Sequence, residues 1–116
     1  MIFVIDDDDI MAESIGRSAG EKVEIFSNVI EAMNKISEGD IPDLIFLDIL
    51  LDGPDGFTFL NEMVSYEDVS KIPIVIVSSL DFSQRDLSEY GVVGYLNKEK
   101  MAPRDIKEYV GLYGKK

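Results

Sequence analysis

The chain has 116 residues, 46% of them apolar and 29% charged, with no cysteine and no histidine; residues 1–116 are read as one domain with a proper buried core. The missing Cys and His exclude a disulfide framework, the usual zinc sites and any His-dependent catalytic triad. A net charge of −12, from 23 acidic against 11 basic residues, argues against contact with nucleic acid or an anionic membrane, since both need clustered Lys and Arg.

Met1 leads straight into "IFVI" (2–5), the first of five apolar runs that read as strands. The others are "VEIF" (23–26), "LIFL" (44–47), "IVIV" (74–77) and "VVGYL" (92–96). Continuous apolarity marks central strands of a parallel sheet covered on both faces. Helical stretches are expected between them. The first, near 9–19, is interrupted by Gly16 and lines up only Met11, Ile15 and Ala19. Asn28 caps the second, whose Val29, Met33 and Ile36 share a face and whose stop is Gly39. Phe57, Leu60 and Val64 stripe the third, and a short fourth runs from Ser83 to Tyr90, ended by Gly91. Pro103 suits the first turn of the last, which shows Ile106, Tyr109, Val110 and Tyr113 on one side. No run is long enough to cross a bilayer and no signal peptide is read, so a cytoplasmic location is expected.

Alternation of this kind gives an α/β, (βα)₅ doubly wound parallel sheet with right-handed crossovers. Ligands then gather at the carboxyl ends of the strands. The residues found there are Asp6-Asp7-Asp8-Asp9, Asp48, Ser78-Ser79 and Asn97-Lys98. Alone, each has a bland explanation: an acidic helix entry, a capped loop aspartate, a strand-end hydroxyl, a surface lysine. Together they place carboxylate, hydroxyl and amine groups at one sheet edge. Asp6, Asp7 and Asp48 would repel one another by about 4 kcal/mol per pair at 4 Å in an effective dielectric of 20. Such a cluster raises a pKa or binds a hard cation, and Mg²⁺ fits an all-oxygen site. With the cation present, Asp48 stays ionised as a nucleophile toward phosphorus, and Lys98 and Ser78 contact the transferring group.

"FVIDDD" (3–8), "DLIFLDILLDGPDG" (43–56), "IPIVIVSS" (72–79) and "GYLNK" (94–98) occur in this order over essentially the whole chain. In this the sequence resembles the receiver domains of two-component response regulators, including the single-domain chemotaxis regulators. The resemblance implies a flavodoxin-like strand order of 2-1-3-4-5. It implies Asp48 as phosphoacceptor, with Ser78 and Lys98 on the phosphoryl group and Tyr95 as the switch aromatic. Asp6, Asp7, Asp48 and the Leu50 backbone carbonyl would form the site for Mg²⁺ (or Mn²⁺), with Asp7 and that carbonyl among the direct ligands. The implied partners are a histidine kinase or phosphotransfer protein as donor, and an output protein or domain on the face of the fourth helix, fifth strand and fifth helix. Self-catalysed phosphorylation and dephosphorylation are implied, without turnover of a separate substrate.

Three departures stand out. Where the family usually has a proline after the lysine, this chain has Glu99, so the bond from Lys98 is predicted trans. Lys98 should then be held less rigidly, with the Glu99 carboxylate competing for it. Asp52 replaces another usual proline, and the segment from Ser78 to Tyr95 is short, implying a trimmed fourth helix. These departures leave room for a phosphate-independent adaptor of the same fold. A phosphatase of the haloacid-dehalogenase type would need an acid two positions after Asp48, where Leu50 stands.

Overall fold

The structure is a computed structural model that describes residues 1–51, 55–65, 71–81 and 85–114. Five strands form one parallel sheet: β1 (Ile2–Ile5), β2 (Val23–Phe26), β3 (Leu44–Leu47), β4 (Ile74–Ser78) and β5 (Val92–Asn97). Their order is β2-β1-β3-β4-β5, the doubly wound arrangement expected. β1 is in register with both neighbours, Ile5 lying opposite Phe26 and Leu47, so the chain leaves β1 and β3 at the same height. β4 and β5 pair from Ile74–Val92 to Ser78–Asn97, with one irregularity between Ile74 and Val75.

Strand residues alternate between two cores. Phe3, Ile5, Ile45, Leu47, Ile74 and Ile76 face helices α2 (Val29–Ser37) and α3 (Gly56–Val64). Ile2, Val4, Leu44, Phe46, Val75 and Val77 face α1 (Asp9–Ala19) and α4 (Pro103–Tyr109). A fully buried side chain of this size contributes about 1.5–3 kcal/mol. Such a two-sided core fixes the sheet rigidly and leaves only its carboxyl edge for polar chemistry. Among the described residues no helix is long and apolar enough to cross a membrane.

The helices differ from expectation in three places. In α1 the buried residues are Ala12, Ile15 and Ala19, with Met11 only partly covered. Gly16 does not break the helix, and a Cβ added there would meet Val23 at 3.7 Å, ordinary van der Waals contact. In α3 the buried stripe is Phe59, Leu60 and Met63, one step from the expected Phe57, Leu60 and Val64; Val64 is exposed. The start of the helix sets this phase. Asp55 caps it, its Oδ1 accepting from the Thr58 N–H at 3.0 Å, and Gly56 donates its N–H to the Ile49 carbonyl at 2.9 Å. Third, no α-helix follows β4 among the described residues. Ser83 lies outside them, residues 85–87 are not helical, and only a 3-10 turn, Ser88–Tyr90, precedes β5. Asp86 organises that turn, accepting from the Ser88 N–H at 3.1 Å and hydroxyl at 2.6 Å. Among the described residues, four α-helices rather than the expected five pack on the sheet.

α2 is capped as expected, Asn28 Oδ1 accepting from the Glu31 N–H at 2.9 Å, and Gly39 past its end takes the left-handed φ of 101°. Pro103 opens α4, which buries Ile106, continues through a wider turn, Val110–Gly114, that buries Val110, and lays Tyr109 and Tyr113 against the same core.

Gly56 ties α3 to the sheet edge. A Cβ there would sit 2.7 Å from the Asp48 carbonyl oxygen and 2.8 Å from Ile49 Cα. Both obstacles are backbone, so Gly56→Ala must push α3 off the end of β3. We predict a loss of about 1–3 kcal/mol, measured as a lower urea midpoint at unchanged slope. An unchanged midpoint would show that α3 and β3 are not in that contact.

Candidate functional site

β1 and β3 end side by side and each is followed by a buried aspartate. Asp6 is 1% exposed and Asp48 4% exposed. Their backbones continue the ladder: the Asp6 N–H donates to the Phe26 carbonyl and the Asp48 N–H to the Ile5 carbonyl, both at 2.9 Å. Each carboxylate accepts from the turn it opens. Asp6 Oδ1 takes the Asp8 N–H at 2.9 Å and Asp48 Oδ1 takes the Leu50 N–H at 3.3 Å. One oxygen of each is thus aimed by local backbone, and the other points into the site.

The run of four aspartates divides its labour. Asp8 Oδ1 caps α1, accepting from the Ile10 and Met11 N–H groups at 3.1 and 3.2 Å, and Asp9 occupies the first turn, where the helix dipole favours it. Asp6 and exposed Asp7 join Asp48 instead, carboxylate oxygens of all three lying within 4.8 Å of one another. At that spacing each like-charged pair repels by about 3 kcal/mol in an effective dielectric of 20.

Lys98 answers part of that charge. Its ammonium is 3.0 Å from Asp6 Oδ2 and 3.0 Å from Asp48 Oδ2. The approach to Asp48 has hydrogen-bond geometry, whereas Asp6 Oδ2 is a buried oxygen with no hydrogen bond of its own. Burial is the largest influence on Asp6 and raises its pKa, helped by the Asp48 charge; the Asp8 N–H and Lys98 pull the other way and lose. For Lys98, burial acts to lower the pKa, but the two carboxylates outweigh it and hold it above the usual lysine value. The ammonium is therefore charged at neutral pH.

Counted as ionised, three carboxylates and one ammonium give these four groups a net charge of −2. Buried Asp6 Oδ2 makes no hydrogen bond and is met by the Lys98 ammonium only as an ion pair, so it keeps a lone pair that a cation could use. An all-oxygen set of Asp6, Asp7 and Asp48 suits a hard divalent ion such as Mg²⁺ or Mn²⁺. The Leu50 side chain is exposed, and its backbone sits beside Asp48 through the N–H bond already described.

Ser78 ends β4 almost fully buried; its Oγ accepts from the Leu80 N–H at 3.2 Å, and its carbonyl accepts from the Lys98 N–H at 3.0 Å. Tyr95 packs its ring against the core and donates its hydroxyl to the Arg85 carbonyl at 2.7 Å. Leu80 and Tyr95 both line a surface hollow of about 270 Å³ with Asn97 and Lys100. Leu80, whose N–H Ser78 holds, thus borders the same hollow as Tyr95.

The expectations about Glu99 divide. The Lys98–Glu99 bond is trans, as predicted. The lysine is not loosely aimed, however: it meets both buried carboxylates, while Glu99 is exposed and forms no ion pair with it among the described residues. Glu99 is held instead by its N–H, which donates to Asn97 Oδ1 at 2.8 Å. Asn97 was not marked from sequence as a site residue; a turn-forming asparagine directly before the lysine was the signal available. The usual-proline position at Asp52 lies outside the described residues.

This sheet order and this acidic edge have known counterparts. The sequence model for the response regulator receiver domain matches residues 2–110, and the chain belongs to that family, the receivers of two-component signalling. It is 26% identical over 115 residues to protein-glutamate methylesterase/protein-glutamine glutaminase 2 of Oleidesulfovibrio alaskensis, covering 92% of this chain but 32% of that protein. The chain thus spans about a third of that relative. Among solved structures it resembles a response regulator, itself described only as putative, from Chloroflexus aurantiacus (TM-score 0.81, 28% identity, 96% and 93% of the two chains). The Mn²⁺-bound form of the response regulator Rcp1 shares the fold (TM-score 0.78, 21% identity, 95% and 91% covered).

The burial of Asp6 has a consequence for stability. Because folding raises the Asp6 pKa, the metal-free folded state binds that proton more tightly than the unfolded chain. Its contribution is fully present below the ordinary carboxylate pKa and is lost as pH rises through the raised value. Asp6→Asn should therefore stabilise the metal-free protein at pH 7, and the gain should shrink as pH falls toward the ordinary carboxylate pKa. Urea unfolding in chelator at several pH values measures it; a variant less stable than wild type at pH 7 would contradict this reading of the cluster.

Proposed function

We propose that the chain is a phosphoacceptor switch in which Asp48 takes a phosphoryl group from a phosphohistidine of a histidine kinase or phosphotransfer protein. The observation that carries this is the Lys98 ammonium poised 3.0 Å from both buried carboxylates. An Asp48 oxygen forms the new P–O bond while the donor P–N bond breaks, its electron pair leaving with the imidazole. Lys98 neutralises charge on the transferring oxygens, and the buried Ser78 hydroxyl supplies a hydrogen bond to one of them. Asp6, Asp7, Asp48 and the Leu50 carbonyl would hold Mg²⁺ or Mn²⁺, which supplies further charge neutralisation when bound. Leu50 anchors the geometry through its N–H on Asp48 Oδ1. The setting this implies is cytoplasmic.

Incubation with acetyl phosphate and Mg²⁺ should add one hydroxylamine-labile phosphoryl group by intact mass, and Asp48→Asn should abolish it. No adduct at forcing donor concentration would leave the phosphate-independent adaptor as the reading. On the metal, Asp7→Ala should abolish Mg²⁺ binding by calorimetry, and Asp6→Ala should weaken it by about 10–100-fold. Equal affinity in wild type and Asp7→Ala would refute that assignment.

The output starts from Ser78, whose Oγ holds the Leu80 N–H beside the hollow that Tyr95 also lines. Once Ser78 Oγ turns to a phosphoryl oxygen, the Leu80 N–H loses its partner, and the loop beside Tyr95 is released. Tyr95 then exchanges its bond to the Arg85 carbonyl for an inward position, changing the face made by the 3-10 turn, β5 and α4, where a partner docks. A beryllofluoride-bound structure should show both side chains moved; Ser78 and Tyr95 both in place would count against the relay.

A further inference from the structure

We infer that Asn97 is a positioning residue that aims Lys98, taking over through a side-chain turn the work that a rigid bend after the lysine would do. The inference rests on the reading of Asp48 as phosphoacceptor and goes beyond it, because the phosphoacceptor chemistry alone assigns Asn97 nothing.

Lys98 has to reach far. β5 is two strands from β3, about 10 Å across the sheet, and the ammonium nevertheless meets Asp48 and Asp6 at 3.0 Å each. A four-carbon stem holds such a place only if its Cα and the direction of its Cβ are fixed. Upstream, the Lys98 N–H is pinned to the Ser78 carbonyl at 3.0 Å. Downstream there is no proline, the bond to Glu99 is trans, and Glu99 is exposed. Asn97 supplies the missing hold. Its Oδ1 accepts from the Glu99 N–H at 2.8 Å, and its carbonyl accepts from the Lys100 and Met101 N–H groups at 3.1 and 2.9 Å. Lys98 is thus enclosed in a turn closed from both ends by one residue, which is itself in the ladder opposite Ser78. An asparagine side chain bonding the backbone two residues on is a known turn-former. Alanine at 97 keeps the ladder but drops the side-chain bond, so the segment carrying Lys98 gains freedom on one side.

The test compares wild type with Asn97→Ala and Asn97→Asp, whose carboxylate accepts the same bond. Phosphorylation rates are followed against acetyl phosphate concentration at saturating Mg²⁺, with Mg²⁺ affinity by calorimetry and Glu99 amide exchange by NMR. In Asn97→Ala the maximal rate should fall by about ten- to a hundredfold. The half-saturating donor concentration should stay put, Mg²⁺ should bind no more weakly, and Glu99 should lose amide protection. Asn97→Asp should recover most of the rate and the protection. General damage would weaken Mg²⁺ binding too, and aspartate would not repair it. A wild-type rate in Asn97→Ala, or the same loss in both variants, overturns the inference. If wild type itself takes no phosphate, the proposed function fails and the positioning is decided structurally. A metal-free Asn97→Ala structure should then show Lys98 Nζ beyond hydrogen-bond distance of Asp6 and Asp48, and an unmoved Nζ refutes the role. Should alanine prevent folding, Asn97→Ser, a shorter acceptor, should give an intermediate rate, and a fully wild-type rate there refutes it as well.

Discussion

One ammonium shared between two buried carboxylates is the constraint on which this structure turns. Removing either charge from water is costly, and the cost is tolerable only because Lys98, Asp48 and Asp6 meet at 3.0 Å. The meeting depends on topology. β1 and β3 are adjacent and in register, so their terminal aspartates emerge together. β4 ends in Ser78, whose backbone carbonyl holds Lys98 at the start of its path across the sheet edge. Two apolar layers keep those strand ends fixed, which a loop-borne site would not achieve. The same arrangement is deliberately short of positive charge. Burial, helped by the Asp48 charge, makes Asp6 reluctant to ionise, and its Oδ2 makes no hydrogen bond beyond the Lys98 ion pair.

The strands were legible because burial on both faces demands continuous apolar runs, and "IFVI", "LIFL" and "IVIV" admit little else. The set of site residues was legible for a related reason: polar groups placed directly after such runs must sit at one edge. The phase of α3 was not. Phe57, Phe59, Leu60, Met63 and Val64 offer two overlapping stripes, and the choice was made by Gly56 against the Asp48 backbone, a contact 8 residues away in sequence that no helical periodicity reports. The tight connection before β5 was misread as a helix because Gly91 does end something there, namely a 3-10 turn started by Asp86. Attention to Glu99, the residue that differs, passed over the side-chain turn that Asn97 makes beside Lys98. Turn-forming side-chain bonds of this kind depend on where the backbone already is, and the sequence shows only that the residue type is permissive.

Arg85, in the segment before β5, links neighbouring elements. Arg85 lies 5.0 Å from the centre of the Phe57 ring, and its carbonyl holds the Tyr95 hydroxyl, so the start of α3, the turn segment and β5 are tied through one residue. On the other side of β5, Gly94 has no room even for a methyl group because the Tyr109 ring of α4 lies against it. β5 is thus held on both faces, by the Tyr95 hydroxyl bond on one and by Tyr109 against Gly94 on the other.

The central claim is that Lys98 is the resident half of a charge balance whose other half is a divalent cation. Urea unfolding of Lys98→Met at pH 7, with Mg²⁺ and with chelator, tests it most directly. The account predicts that the variant is markedly less stable than wild type in chelator and gains more stability from Mg²⁺ than wild type does, since the cation then answers charge that the ammonium no longer covers. A variant as stable as wild type without metal, and no more responsive to Mg²⁺, would contradict it.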